Sequence, residues 1–260
     1  LYFRDAAGNE TPFESMYSKA YLDQHYADGY VDWGYYPLQD YKYDRKTNHL
    51  NELFATTNLR YQLFDFLSAN VGFQWQNQRA ENESLHEKDS YFTRLKINQF
   101  MTVDPVSGQR KYNVPMGAIR ALDQQQGRSY TARTQLDFNK TFGQHRLQGI
   151  VGAEARENQL SGSSNTAYGY NEVPLTSMPV DYLTAFATVP DNLYLNIVGA
   201  PMFTKTTNRF VSLYSNWTDL YRDKYGLSAS FRKDGANIFG ATTNDKWSPL
   251  WSVAVSYTHL

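Results

Sequence analysis

Hydrophobic and polar residues alternate along several stretches of this chain, which is typical of β-strands that have one apolar and one polar face. In Leu53–Leu63 and Leu67–Trp75, most alternate residues are aliphatic or aromatic, and those between them are mainly Ser, Thr, Asn, Gln, Gly or Arg. Only the short connection Phe64–Phe66 separates the two stretches. The sequence therefore predicts an antiparallel hairpin.

Two further hairpins and one last strand show the same alternation. The predicted strands are Tyr130–Asn139 and Leu147–Arg156, Arg209–Tyr221 and Tyr225–Arg232, and Leu250–Tyr257. Two residues break the pattern, because Ile150 is apolar on a polar face and Asp219 lies on an apolar face beside Trp217. The pattern as a whole predicts an all-β chain of about seven long strands.

The connections between these strands are of two kinds, which alternate along the chain. Short turns lie at 64–66, 141–144 and 222–224, whereas residues 79–128, 161–207 and 234–247 form long connections rich in Asn, Ser, Gly, Pro and Tyr. A strand of 10–11 residues at about 3.3 Å each, tilted by about 40°, crosses roughly 25 Å, the height of a lipid-facing band. These features favour a transmembrane β-barrel with short periplasmic turns and long extracellular loops.

The aromatic composition is typical of a β-barrel wall and also of carbohydrate-binding β-sandwiches. The chain contains 21 Tyr, 15 Phe and 5 Trp, and its mean hydropathy is −0.62. Several of these rings lie at the short-turn ends of the predicted strands, as the aromatic girdle of a barrel does. Aromatic residues also fill the ends of soluble β-sandwich cores. A soluble β-sandwich carbohydrate-binding module is thus the main alternative, and a secreted glycosidase fragment is a more distant one.

Charge and residue content exclude several other classes of function. The 25 basic and 26 acidic residues give a net charge of −1, so no global field favours nucleic acid. Cysteine is absent, which excludes thiol catalysis, and the five histidines lack paired metal-ligand spacing. The sequence predicts no catalytic, cofactor or metal site and therefore no enzyme, and His145 is expected to be a polar residue at a turn.

One predicted loop is the best candidate for substrate contact. Asn165–Asn196 carries five aromatic rings among Asn and Asp residues, namely Tyr168, Tyr170, Tyr182, Phe186 and Tyr194. Such rings stack on sugars or peptides while neighbouring polar groups bind hydroxyl or backbone atoms. Loops that pack on one another, or on a partner protein, would carry the same residues. The N-terminal segment is also rich in Tyr, with a short helix expected near Glu14–Tyr26.

Four stretches resemble the SusC/RagA family of TonB-dependent outer-membrane transporters, in the order in which that family has them. WTDLYRDKYGLSASFRKDG (217–235) is similar to its hairpin with a basic-acidic turn and an Arg-x-Asp-Gly end, and HRLQGIVGAEARE (145–157) to its His-x-Leu…Gly-x-Glu strand. SYFTRLKINQF (90–100) with YNVPMGAI (112–119) resembles its loop ending in a Val-Pro-Gly turn. SPLWSVAVSY (248–257) resembles a late strand with a Pro-x-x-Ser start.

The resemblance implies a piece of a roughly 22-stranded, plugged barrel in the outer membrane. It implies import of a bulky glycan or peptide, with a SusD-like surface lipoprotein over the outer loops. TonB would act through a plug domain that lies outside these 260 residues. Residues 1–48 are expected to be an extracellular loop region and 49–257 the barrel hairpins with their outer loops.

The chain departs from the family pattern at two places. Gly235-Ala236-Asn237 stands where the family often has Gly-Ser-Ser, and the last residues after Tyr257 do not continue the expected strand. Residues 258–260 are therefore predicted to be a non-native tail. The whole chain is expected to be a fragment of a longer protein.

Overall fold

Long antiparallel strands dominate the computed structural model, which describes residues 3–13, 18–26, 29–104, 106–237 and 247–258. Its seven long strands are β1 (Asp44–Phe64), β2 (Leu67–His86), β5 (Ala118–Phe142), β6 (His145–Asn171), β10 (Met202–Tyr221), β11 (Tyr225–Ala236) and β12 (Trp247–Tyr257). They form one sheet in the order β1-β2-β5-β6-β10-β11-β12. The predicted all-β fold of about seven strands is confirmed, and the sheet is open because β1 and β12 are its two edges.

Shorter elements occupy the connections. The helices are α1 (Lys19–Tyr26), α2 (Pro37–Asp40) and α3 (Tyr91–Gln99), and the short strands are β3 (Met101–Val103), β4 (Arg110–Tyr112), β7 (Thr176–Met178), β8 (Ala185–Ala187) and β9 (Tyr194–Asn196). β3 pairs with β4, β8 pairs with β9, and β7 pairs with the end of β6. The expected N-terminal helix is confirmed over α1, whereas residues 14–17 lie outside the described residues.

Local sequence explains the tight turns between the long strands. Gly143 has φ +59° in the turn between β5 and β6, and Arg222 and Asp223 both have φ +55° in the turn between β10 and β11, so these two hairpins use the left-handed backbone that matches the twist of paired strands. The hairpin of β10 and β11 is in register from Tyr221 opposite Tyr225 to Phe210 opposite Ala236. β1 and β2, β5 and β6, and β10 and β11 are neighbours in the sheet, so the three predicted hairpins are confirmed.

The strands are longer than the alternation predicted, and the long connections are correspondingly shorter. The connection predicted at 79–128 spans only 87–117, and the one predicted at 161–207 spans 172–201. β1 likewise begins at Asp44, inside the segment expected to be loop. The added segments, such as RAENES (79–84), lack the alternation of apolar and polar residues, since Ala80 is the one apolar residue of this stretch. Backbone pairing continues where alternation has stopped.

The chain divides into two compact units. The first contains Leu1–Leu50, Ala80–Gln125 and Gly162–Phe203, and the second contains Asn51–Arg79, Gln126–Ser161 and Thr204–Leu260. The first unit has a small hydrophobic core, whose buried members are Ile97, Phe100, Val114, Ile119, Tyr168 and Ile197. The second unit contains the three short turns and the alternating parts of the strands.

Within the described residues, no hydrophobic core covers the sheet of the second unit. Its apolar face is open, since Leu59 is 68% exposed, Val71 52% and Val253 61%. The other sheets of the described residues have two strands each, and both lie in the first unit. A β-sandwich would bury this apolar face against a second large sheet. The β-sandwich alternative is therefore wrong for the described residues.

Candidate functional site

The polar face of the second unit carries a connected set of hydrogen bonds. We use the name polar face for the side of this sheet that carries Arg133, Gln135, Asp137, Glu154, Arg156, Ser212, Tyr214, Ser230, Arg232 and Ser252, and apolar face for the opposite side. The Ser230 and Ser252 hydroxyls lie 2.7 Å apart across β11 and β12. The Arg, Asp and Glu side chains on this face require solvent or partners, because unpaired buried charges are costly.

A chain of side-chain hydrogen bonds fixes one arginine on this face. Nε of Arg133 donates to the hydroxyl oxygen of Tyr214 at 2.8 Å, and its guanidinium carbon lies 5.2 Å from the centre of the Tyr214 ring. The Tyr214 hydroxyl donates to Oε1 of Gln135 at 3.0 Å, and Nε2 of Gln135 donates to Asp137 at 2.5 Å. The side-chain amide of Asn70 also donates to Asp137. Arg133 is thus held by residues of β5 and β10, and Asn70 of β2 lies at the far end of this chain of hydrogen bonds.

A glycine makes this contact possible. Arg133 is on β5 and Tyr214 on β10, and β6 lies between these strands in the sheet. A Cβ atom at Gly152 of β6 would lie 2.4 Å from both Cζ and the hydroxyl oxygen of Tyr214. The ring of Tyr214 therefore crosses β6 at the one residue type that has no side chain, a use of glycine that close approach inside a strand requires.

These residues surround a concave site of about 530 Å³ on the polar face. Its lining includes Arg133, Ile150, Glu154, Tyr214, Arg232 and Leu250. The charges are unequally matched. Arg232 donates to Asp234 at 2.8 Å and to the Ser212 hydroxyl at 3.2 Å, and Glu154 lies 3.6 Å from Arg156. Among the described residues, Arg133 has hydrogen-bond partners that are neutral and no ion pair.

Aromatic rings gather near the short turns, as the sequence predicted. The ring of Phe138 lies 5.5 Å from that of Phe66 and 5.8 Å from that of Trp217, and Tyr225 lies 5.2 Å from Tyr257. On the apolar face, the ring of Trp217 lies directly over Gly149 of β6, since a Cβ atom at this position would lie 2.3 Å from the ring. These rings would suit the interface between lipid and water.

Asp219, which interrupted the apolar pattern of β10, has a partner at the same end of the sheet. Its Oδ2 atom lies 2.8 Å from Nδ1 of His145. His145 also lies 4.7 Å, ring to ring, from Tyr221. His145 is therefore a polar residue beside a turn, as expected. No group of His, Asp or Glu side chains within the described ranges could hold a metal ion.

Two of the five predicted substrate-contact residues have hydroxyl groups that are hydrogen-bonded inside the first unit. Tyr168 is on β6 rather than in a loop, is 3% exposed, and donates its hydroxyl hydrogen to the Val198 carbonyl at 2.8 Å. Burial, together with neighbouring Tyr182, raises the pKa of Tyr168 to about 12. Tyr182 donates to the Thr166 carbonyl at 2.9 Å, and burial raises its pKa as well. Both hydroxyls serve loop packing.

The other three predicted residues lie in different surroundings. Phe186 is partly buried against the small core of the first unit, with its ring edge-on to Phe100 and the ring centres 6.4 Å apart. Tyr170, also on β6, lies beneath the guanidinium of Arg120 at 5.4 Å. Tyr194 is 73% exposed on β9 and is the most accessible of the five. Their role in substrate binding stays a prediction, and within the five the structure leaves Tyr194 most available.

Sequence reasoning identified Arg133, Gln135, Asp137, Glu154 and Arg156 as residues of one polar face, and the structure places them there. It missed the role of Tyr214. The available signal was Gly152, a glycine inside an alternating strand, which indicates a close approach without naming the partner. None of the helices in the described part of the chain is long and apolar enough to cross a bilayer.

Comparison with known proteins finds solved structures that share the fold of this chain. No protein-family model matches the chain, and no curated protein is similar to it in sequence. Solved structures of RagAB are similar. The RagAB peptide importer in its closed-closed state gives a TM-score of 0.63 at 12% identity over 96% of this chain and 23% of that chain. The RagAB peptide transporter gives 0.59 at 12% identity over 82% and 20%.

At these identities the likeness shows a shared fold, and the chain spans about a fifth of the length of the RagAB chains that it matches. The open-open state of the importer gives a consistent TM-score of 0.57 at 13% identity. The match of an open sheet to one fifth of a longer chain agrees with a partial barrel.

Proposed function

We propose that this chain forms part of the wall and outer loops of a TonB-dependent importer of the SusC/RagA type in a bacterial outer membrane. The observation that carries the proposal is the two-sided sheet of the second unit. One side exposes aliphatic side chains such as Leu59 and Val253, and the other carries charged, hydrogen-bonded side chains such as Arg133. A barrel wall needs hydrocarbon on one side and a wet passage on the other.

The cargo is a bulky nutrient, either a glycan or a peptide. The four motifs that resemble the SusC/RagA family and the fold shared with the RagAB peptide importer support this assignment. A SusD-like lipoprotein would cover the outer loops, and TonB would supply energy through a plug domain outside these residues. The chain has no catalytic role and needs no cofactor.

Topology tests the location. An epitope tag after Leu183, which is 92% exposed in the connection 172–201, should be detected by antibody on intact cells. The same tag at Asp223, in the short turn after β10, should be detected only after the outer membrane is permeabilised. Equal detection of both tags on intact cells, or of neither, would contradict the proposed orientation.

Growth tests the transport. Cells that lack the protein should lose growth on a peptide or glycan mixture as the only carbon source while growing normally on a monosaccharide or amino acids. Complementation with the intact gene is the control. Unchanged growth on every oligomeric nutrient would remove the transport assignment while leaving the barrel fold in place.

A further inference from the structure

We infer that the concave site on the polar face binds a carboxylate of the transported ligand, and that Arg133 is its receptor. The inference rests on the proposed function, because it gives the passage a chemical selectivity. The chemistry is that of a guanidinium whose planar fork matches the two oxygens of a carboxylate.

Arg133 has donors to spare. One N–H, at Nε, is used on Tyr214, and one, at Nη2, is used on Gln135 at 3.2 Å. A guanidinium has five N–H groups, so both hydrogens of Nη1 and the second of Nη2 have no acceptor among the described residues. The side chain is exposed to the concave site, and these donors are available to a ligand.

The hydrogen bond from Nε to Tyr214 fixes the orientation of the Arg133 side chain. Tyr214 holds Nε and stacks beside the guanidinium, and the Tyr214 hydroxyl is itself fixed by Gln135. Holding one edge of the fork in place reduces the side-chain entropy lost when a ligand binds the other edge. Tyr214 is therefore a positioning residue, and Gly152 provides the space that its ring needs.

The charge of the site fits one negative group. Arg232 forms an ion pair with Asp234, and Glu154 lies 3.6 Å from Arg156 and attracts Arg133 only at longer range, so among the described residues Arg133 is the arginine of the lining that has no ion pair. A single unmatched positive charge suits a monovalent carboxylate better than a divalent phosphate.

Apolar atoms lie beside the charge. Ile150 and Leu250 are both on the polar face and both line the concave site. Ile150 was an exception to the alternation of β6, and this position gives it a use. An oxyanion acceptor next to two aliphatic side chains suits either the C-terminal carboxylate of a peptide with an apolar last residue or a uronic acid whose C–H face packs on aliphatic groups.

Two matched pairs of probes distinguish these sources. The chain has no cysteine, so a fluorophore on a single cysteine replacing Asn216, which lines the site, reports on this site of the chain. The intact protein in vesicles is titrated with hexa-alanine as the free acid and as the C-terminal amide. It is then titrated with a galacturonate trisaccharide and the neutral galactose trisaccharide.

At least one acid should bind about 10- to 100-fold more tightly than its neutral partner, since charge-assisted hydrogen bonds are worth that factor. Preference within the peptide pair alone identifies a peptide terminus, and preference within the sugar pair alone identifies a uronate. Arg133→Gln should remove the preference. Arg60→Gln, the same charge change elsewhere on the polar face, should retain it.

Tyr214→Phe should retain the fold and reduce the acid-to-neutral ratio by about 2- to 5-fold, because Arg133 then loses its Nε acceptor. The inference is wrong if neither acid binds more tightly than its neutral partner. It is also wrong if no probe binds at concentrations up to 50 mM, about the weakest affinity that such a hydrogen bond could give. The inference is likewise wrong if Arg133→Gln and Arg60→Gln have the same effect on the acid-to-neutral ratio of affinities. The topology of the epitope tags would survive either result, so failure of this site is separable from failure of the proposed function.

Discussion

The ring of Tyr214 lies over Gly152, so the effect of replacing this glycine on the free energy of unfolding should depend, in sign and in size, on the residue at position 214. Replacement of Gly152 by Ala places a methyl group where Cζ and the hydroxyl of Tyr214 now lie, because the distance from the new Cβ would be 2.4 Å. The ring can move away, since it is the far end of a side chain. It then gives up its hydrogen bond from Arg133 and its contact with the guanidinium.

The magnitude follows from those losses. A hydrogen bond to a charged group contributes about 1.5–3 kcal/mol to stability. Alanine is about 0.5–1 kcal/mol more favourable than glycine inside a strand, which offsets part of the loss. Gly152→Ala should therefore lower the free energy of unfolding by about 1–2 kcal/mol. In a Tyr214→Ala background the same change has no ring to displace and should raise it by about 0.5–1 kcal/mol.

The assay is a double-mutant cycle on the intact protein refolded into lipid vesicles, with urea titrations of the wild type, Gly152→Ala, Tyr214→Ala and the double variant. The expected coupling energy between the two positions is about 2 kcal/mol. A Gly152→Ala effect of the same sign and size in both backgrounds would refute the proposed crossing of β6 by Tyr214.

The remaining predictions concern other faces and the first unit. Val71→Arg should lower the free energy of unfolding in vesicles by about 2–4 kcal/mol because it meets lipid, whereas Gln74→Arg on the polar face should cost under about 1 kcal/mol. Gly149→Ala should displace the ring of Trp217 and change its fluorescence maximum; an unchanged spectrum would show that the ring does not cross there. Tyr168 has a folded pKa of about 12 against an ordinary value of 10.0. The stability that its neutral form contributes should be complete below pH 10 and lost between pH 10 and 12, and Tyr168→Phe should abolish that pH dependence. The chain expressed alone should need detergent, since its apolar face is open and β1 and β12 are unpaired edges; a monodisperse monomer in plain buffer would contradict this.

Local pattern predicted the hairpins because each depends on neighbouring residues in sequence. The alternation through Tyr225–Arg232 and the short turn at 222–224 are enough to define the pairing of β10 with β11. The length of the strands could not be predicted in the same way. In segments such as 79–84 apolar and polar residues do not alternate, so the pattern carries no information about whether the backbone pairs.

The candidate site was predictable only in its residue types. The alternation placed Arg133 on a polar face, but its partner Tyr214 is 81 residues away, and their contact depends on Gly152 of the strand between them. No periodicity within one strand contains that relation. The five aromatic residues predicted to contact substrate could not be assigned from the sequence for another reason. A tyrosine such as Tyr168 gives the same sequence pattern whether its hydroxyl binds a ligand or the Val198 carbonyl.

The central claim is that the apolar face of the sheet meets lipid, and nitroxide labels placed in turn along Ala69–Gln74 of β2 test it most directly. In the intact protein in bilayers, the labels that share the face of Val71 should respond to a lipid-soluble quencher, and those between them to a water-soluble one. This period of two is the predicted result. A scan in which no position responds to the lipid-soluble quencher would contradict the account.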